Sequence, residues 1–416
     1  MKAIRTFSLL ALFFPAILAQ AQVDISGFAR TYEGVKVKDG NFSIVQQTVN
    51  LNFEKRGEKV AFKANPMLYY YNTDSLLFRM REVYMDMYFK NFDLRVGKQQ
   101  VVWGKADGVF ITDIVSPLDL TEFLLPDFDE IRIGVLAAKL DYYIGNSTIE
   151  AIWKPIFSPN KLPSTGSIWA VQPDFPAPPT FDWSRSKVDY NLENGSYYLK
   201  FSTMSSNIDF DVMGAYTWDA SPTMHVEKHF EFDTTTVPPT PVLTGLTVTP
   251  EYHRLWVGGG SFSTEIAGFI LRGEGAYYNG KYFQTTDPKA KDALVKKDYF
   301  NYVVGLDFDV KGVKLSGQFI QTIIFDYEDG ITEDKTSNLA TFLAHYDALR
   351  ETLHLELFSY IGLSTPNALI RPKISYDFDD SFNILLGSNI FVGDRDGMFG
   401  QYQDNTMVYM KIKYSF

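Results

Sequence analysis

From residue 22 onward, apolar and polar side chains alternate with a period of two, in runs of roughly ten residues. The last run shows it best. Val408, Met410, Ile412, Tyr414 and Phe416 fall on one face, and Lys411, Lys413 and Ser415 on the other. Such a strand has one face suited to an apolar medium and one suited to water. The same pattern sets Val313, Leu315, Gly317 and Phe319 against Lys314, Ser316 and Gln318, and Leu306, Phe308 and Val310 against Asp307 and Asp309. Only Lys311-Gly312 separates those two runs, which is a tight-hairpin signal. Leu353, Leu355 and Leu357 oppose His354 and Glu356, while Ile370, Ile374 and Tyr376 oppose Arg371, Lys373 and Ser375. Phe269, Leu271 and Tyr277 oppose Arg272 and Glu274. Charges at every second position would be ruinous in a sandwich core and are natural in a channel lining.

The runs predict strands near 23–38, 42–56, 60–72, 75–90, 93–103, 131–144, 147–157, 196–205, 208–218 and 252–263. Further strands are predicted near 267–284, 299–310, 313–327, 338–349, 352–363, 368–379, 382–393 and 405–416. The fold class is therefore all-β: a transmembrane antiparallel β-barrel of about eighteen strands, with sixteen as the alternative count. Connectors support the reading because they alternate in length. Arg56-Gly57-Glu58, Asn91-Phe92, Gly145-Asn146, Lys311-Gly312 and Asp379-Asp380 are short, whereas 104–130, 158–195, 219–251, 285–298, 328–337 and 394–404 are long. Short periplasmic turns and long external loops are the asymmetry of outer-membrane barrels. The terminal Phe416 with Tyr414 resembles the sorting signal of those barrels, so the expected location is the bacterial outer membrane.

Composition sharpens this. Aromatic residues reach 16 %, and no apolar run is long enough for a spanning helix. Lys2 and Arg5, the apolar run Ser8–Leu18 and Ala19-Gln20-Ala21 predict a signal peptide over 1–21 and a barrel over 22–416, with no second domain. The absence of cysteine removes disulfides and thiol chemistry, and a net charge of -11 argues against a nucleic-acid partner. Catalytic signals are poor. His225 and His229 in HVEKH lack the H-E-x-x-H spacing, and G-x-S-x-G is absent. No enzyme, metal or cofactor is expected. The lining carries both signs, Arg272, Lys314, Arg371, Lys373, Lys411 and Lys413 against Glu274, Asp307 and Glu356, so no ion selectivity is assigned.

One stretch breaks the alternation. Residues 104–130 carry Val109, Phe110, Ile111, Ile114, Val115, Leu118, Leu120, Phe123, Leu124 and Leu125, a large apolar surface for an external loop. Such a surface is normally covered, and the simplest cover is the barrel lumen, with packing against other external loops as the alternative. Ser116-Pro117-Leu118-Asp119 predicts a short helix from Pro117 to about Leu125, and Asp287-Pro288 another through Lys296. Asp107, Asp113, Asp119, Asp127, Asp129 and Glu130 lie beside Lys105 and Arg132. These carboxylates suit counter-charges pinning the loop to lumen Arg and Lys. Direct contact with a solute is the alternative, and calcium lacks EF-hand spacing. Gly104 permits the turn out of the fifth strand, with Trp103 as an anchor.

V-V-W-G-K-A-D at 101–107 followed by D-I-V-S-P-L-D at 113–119 resembles the W-G-x-x-D … D-x-x-[NS]-P-x-D pattern of an uncharacterised bacterial outer-membrane barrel family. That family is similar to alginate-export and phosphate-selective porin barrels. Matching positions are Gln99, Trp103, Gly104, Asp107, Asp113, Pro117 and Asp119. The resemblance implies transport, and for some members work beside inner-membrane exporters of lipid or other hydrophobic cargo. The leading expectation is a channel or export conduit narrowed by 104–130. Rivals are a transporter of lipid or hydrophobic solute, an outer-membrane hydrolase using His354, and an assembly barrel binding other outer-membrane proteins. Expected partners are outer-membrane lipid and a small-molecule or lipid solute.

Overall fold

A computed structural model describes residues 23–71, 75–171, 175–235 and 237–416. The expected signal peptide lies outside the described residues. Eighteen strands form one antiparallel sheet, which closes where Asp24–Lys36 pairs with Met407–Ser415, Phe28 opposite Ser415 and Lys36 opposite Met407. Closure leaves no barrel edge unpaired, as a sheet in lipid requires. Val310 pairs with Val313 across the tight turn at Lys311-Gly312.

Alternation explains which face goes where. Val408 and Tyr414 are exposed on the outside, while Met407 and Tyr409 of the same strand are buried inside. The inward face is less polar than the sequence reading holds. Met213, Ala215, Leu255, Val257, Val303 and Ile320 all point inward and are buried, opposite exposed Val212, Trp256, Val304 and Phe319. They need a partner inside the barrel. It is supplied by the connection between Phe92–Gln99 and Val135–Ile144.

Four expectations are corrected. No helix forms over 117–125. Leu118 bridges Arg132, Asp119 bridges Lys161, and the N–H groups of Asp119 and Leu120 donate to Ile131 O (2.6 Å) and Lys161 O (2.8 Å). These distant partners take the donors that a helix would use, and Phe123 has a left-handed φ of 57°. Residues 287–296 hold only a 3₁₀ turn, Lys291–Ala293, because Leu294 onward is already paired with the strand ending at Gln284. The loop 219–251 is itself a hairpin, Thr223–Asp233 with Thr240–Glu251, extended by Pro179–Phe181 in parallel. The fifth strand stops at Gln99 instead of near 103, since Gln100 N donates to Glu82 Oε1 (2.9 Å) and Val101 N to Ser116 Oγ (2.9 Å).

Candidate functional site

The segment 100–134 leaves the wall and packs across the interior. Its apolar residues enter two clusters. Val101, Trp103, Ile111 and Val115 pack on the inward apolar wall just described. Leu125, with Phe123, Leu124 and Phe128, packs on Phe358, Tyr360, Leu369, Phe391, Phe399 and Tyr402, together with Trp169 of the next external loop. Val115 is 0 % exposed and Ile111 is 1 %. Burying side chains of this size is worth about 1.5–3 kcal/mol each, so apolar burial is a large part of what seats the segment.

Polar contacts then fix its position. Trp103 donates its indole N–H to Glu150, stands edge-on to Tyr198 at 6.0 Å, and lies under the Lys200 ammonium at 4.9 Å. Gly104 follows, where a Cβ would lie 3.2 Å from Asp113 Cβ and 3.4 Å from Glu274 Oε2, so the backbone must pass close. Beneath it the Glu274 side chain is held by the segment. It accepts from Lys105 N, from Ala106 N (2.5 Å), and from both Thr112 N (3.3 Å) and Thr112 Oγ1 (2.9 Å). Lys105 Nζ reaches Asp211 at 3.2 Å. Gln318 exchanges two bonds with the backbone of Asp107. Gly108, at φ 78°, accepts from the Tyr360 hydroxyl at 2.7 Å.

Each of the six carboxylates has a cationic partner. Asp107 pairs with Arg272, which also holds Asp307 at 3.0 Å. Asp119 pairs with Arg79 at 2.6 Å and Lys161 at 3.7 Å. Asp127 meets Lys411 at 3.0 Å, Asp129 meets Arg81, and Glu130 takes a two-pronged contact from Arg30 at 2.8 and 3.0 Å. Asp113 differs: its partner, at 2.5 Å, is Arg132 of the same segment, which also donates to Phe128 O. Arg371 uses no carboxylate among the described residues. It donates to the carbonyls of Leu124 (3.0 Å) and Leu125 (2.7 Å). Pro117 accepts from Ile133 N at 2.7 Å.

The remaining wall residues sit nearer the short turns and pair with one another. Lys373 meets Glu356 at 2.9 Å, Lys314 meets Asp347 at 3.7 Å, and His354 is bracketed by Asp347 (2.6 Å) and Asp377 (2.9 Å). Lys413 lies over the Phe28 ring at 5.7 Å. His354 therefore has carboxylates on both nitrogens and no serine beside it among these partners. Sequence reasoning missed Arg30, Arg79, Arg81, Glu150, Gln318 and Tyr360. For the strand residues, the available signal was inward parity, as for Arg30 two positions from buried Tyr32.

Electrostatics within the segment are uneven. Burial opposes ionisation of Asp127, but Lys411, Lys373 and Arg30 outweigh it and hold the carboxyl well below the usual range. Asp119 is likewise lowered against its burial, by Thr121, Arg79 and Lys161. Glu122 goes the other way. Burial, then Asp119, push it up to about 7.

A closed antiparallel barrel with an apolar outer face and a filled interior of mixed polarity defines a bacterial outer-membrane barrel of porin-like fold. The chain belongs to the DUF1302 family, described as protein of unknown function, which it matches over residues 37–350. Solved structures share the fold at low identity. Pseudomonas aeruginosa OccK2 (OpdF), crystallised in complex with glucuronate, has a TM-score of 0.53 at 10 % identity, covering 95 % of this chain and 97 % of that one. Acinetobacter baumannii OccAB1 gives 0.53 at 8 %, with 95 % of each chain covered. Pseudomonas aeruginosa OccD3 (OpdP) gives 0.53 at 9 %, with 95 % and 91 % covered. No curated protein matches the chain.

Proposed function

We propose that the protein is a non-enzymatic outer-membrane channel or export conduit whose lumen is constricted by residues 104–130. The observation that carries this reading is the spread of anchors around the barrel. Arg30, Arg79, Glu274, Gln318, Tyr360, Arg371 and Lys411 stand on seven different strands, and all hold the segment. A loop resting on the rim would touch one side only. Solute then moves through the gaps between segment and wall. One gap, of about 240 Å³, is lined by Arg79, Arg81, Lys98, Arg132 and Lys161 against Asp119 and Glu130. Liposome-swelling rates test the reading. Arg371→Met with Lys411→Met removes the seats of Leu124, Leu125 and Asp127 and is expected to raise uptake, while an unchanged rate contradicts the constriction.

A second reading rests on a different gap. A cavity of about 510 Å³ has an apolar floor of Phe110, Ile111, Leu339 and Phe399 and a polar rim including Asn301, Asn338 and Ser364. Such a lining suits an amphiphilic cargo with an apolar body. The barrel would then be a transporter of lipid or hydrophobic solute, with an inner-membrane exporter as partner. Lipid released from the purified barrel and seen by mass spectrometry favours this route. A lipid-free barrel that conducts favours the channel.

A further inference from the structure

Outside the lumen, the chain gathers three metal-binding side chains at the foot of the external hairpin. His225 is near the start of Thr223–Asp233, Glu251 ends Thr240–Glu251, and His253 precedes the barrel strand Arg254–Ile266. The Nε2 atoms of His225 and His253 are 3.0 Å apart, and His225 Nε2 is 3.5 Å from Glu251 Oε2. One ligand atom from each residue lies within 4.8 Å of the others. A fourth group stands behind them: Asp292, in the turn Lys291–Ala293, is 3.1 Å from His225 Nδ1.

That contact sets the tautomer. An ionised Asp292 only accepts, so His225 donates from Nδ1 and directs the Nε2 lone pair at His253 and Glu251. Neutral imidazole is the form that binds metal. Tetrahedral zinc with Zn–N of about 2.0–2.1 Å sets two ring nitrogens roughly 3.3–3.4 Å apart, within a few tenths of an ångström of the spacing found. A carboxylate on the far nitrogen of a ligating histidine is the usual outer partner in such sites.

We propose that His225, His253 and Glu251 bind a divalent transition ion of the zinc class, with Asp292 orienting His225. The ion ties the external hairpin to the barrel mouth and to the turn carrying Asp292. Arg185 also reaches Glu251 and competes with the ion for that carboxylate. The HVEKH pair is not the ligand pair, because His229 bonds Thr247 at 2.7 Å. Among the described residues a second histidine cluster, His345, Asp347 and His354, is a set of histidine–carboxylate hydrogen bonds in which both His354 nitrogens are taken by carboxylates.

The test is titration of the detergent-purified, full-length barrel with Co²⁺, read by visible absorption and calorimetry. The expected result is one ion per chain, with the bands of a low-coordinate site, displaced by Zn²⁺. His225→Gln and His253→Gln should each abolish the bands, His229→Gln should leave them intact, and Asp292→Asn should weaken affinity by about 10–100-fold. Circular dichroism confirms that each variant keeps its strand content. Absence of saturable binding to the wild type, or binding unchanged in both His225→Gln and His253→Gln, overturns the proposal.

Discussion

Glu274 of the wall and Thr112 of the inserted segment meet twice, Oε2 accepting from the Thr112 backbone N–H at 3.3 Å and from its hydroxyl at 2.9 Å. With Lys105 N and Ala106 N on the other oxygen, one carboxylate satisfies four donors. Glu274→Gln keeps the shape but turns an acceptor into a donor facing N–H groups. The expected cost is about 1–3 kcal/mol, localised to the segment. Amide hydrogen exchange at Lys105, Ala106 and Thr112 should then speed up on the order of tenfold or more. Unchanged protection at those amides would remove Glu274 as an anchor.

Asp113 and Arg132 predict a larger effect. Their side chains are 1 % and 12 % exposed, and removing one member of a buried pair costs about 3–5 kcal/mol. Arg132→Met should lower the thermal midpoint of the purified barrel, and Asp113→Asn in the same chain should recover part of the loss. A single variant as stable as the double would contradict this pairing.

Gly108 offers a steric test. Its φ of 78° is unfavourable for a side chain, and an added Cβ would come within 2.5 Å of Phe358 Cζ and 2.8 Å of the Tyr360 hydroxyl. Gly108→Ala should cost on the order of 1–3 kcal/mol from the strained backbone alone. Tyr360→Phe, which only deletes the bond to Gly108 O, should cost about 1 kcal/mol. Thermal melts of the two variants check the order, and the reverse order would mean that the close approach is not tight.

The fold was largely legible because a period of two survives in a single sequence, and each barrel strand exposes one face to an apolar medium. The acidic character of 104–130 was equally plain. Its conformation was not. Helix signals at Ser116-Pro117 are local, whereas the extended path of 117–119 depends on Ile131 and Lys161, which come into register only in the folded barrel. Arg30, Arg79 and Arg81 are charges on ordinary strands, and nothing in their local sequence says that a distant loop will lie against them. Likewise His225 and His253 are 28 residues apart, joined only by a hairpin whose TTTVPPTPVLTG run resembles a loop.

Glu122 gives a pH dependence with a defined sign. Its carboxyl is raised from 4.5 to about 7 by burial and by Asp119, against the pull of Lys411 and Arg30. Between those values the seated segment holds more protons than the released one, so its stability falls as pH rises through the window. Below about 4.5 both states are protonated and this contribution is flat. Asp119 and Asp127, which are lowered, titrate beneath the window. Conductance noise should therefore increase from pH 5 to pH 8, and Glu122→Gln should remove the change. Equal dependence in the variant would assign it to another group.

The constriction itself is tested most directly by single-channel conductance in a planar bilayer, comparing the wild type with a barrel lacking 106–128. Strand content of the deletion is checked first by circular dichroism. The wild type should be closed or of low conductance, and the deletion should open to a wide, stable pore. Equal conductance from two folded barrels would contradict the constriction.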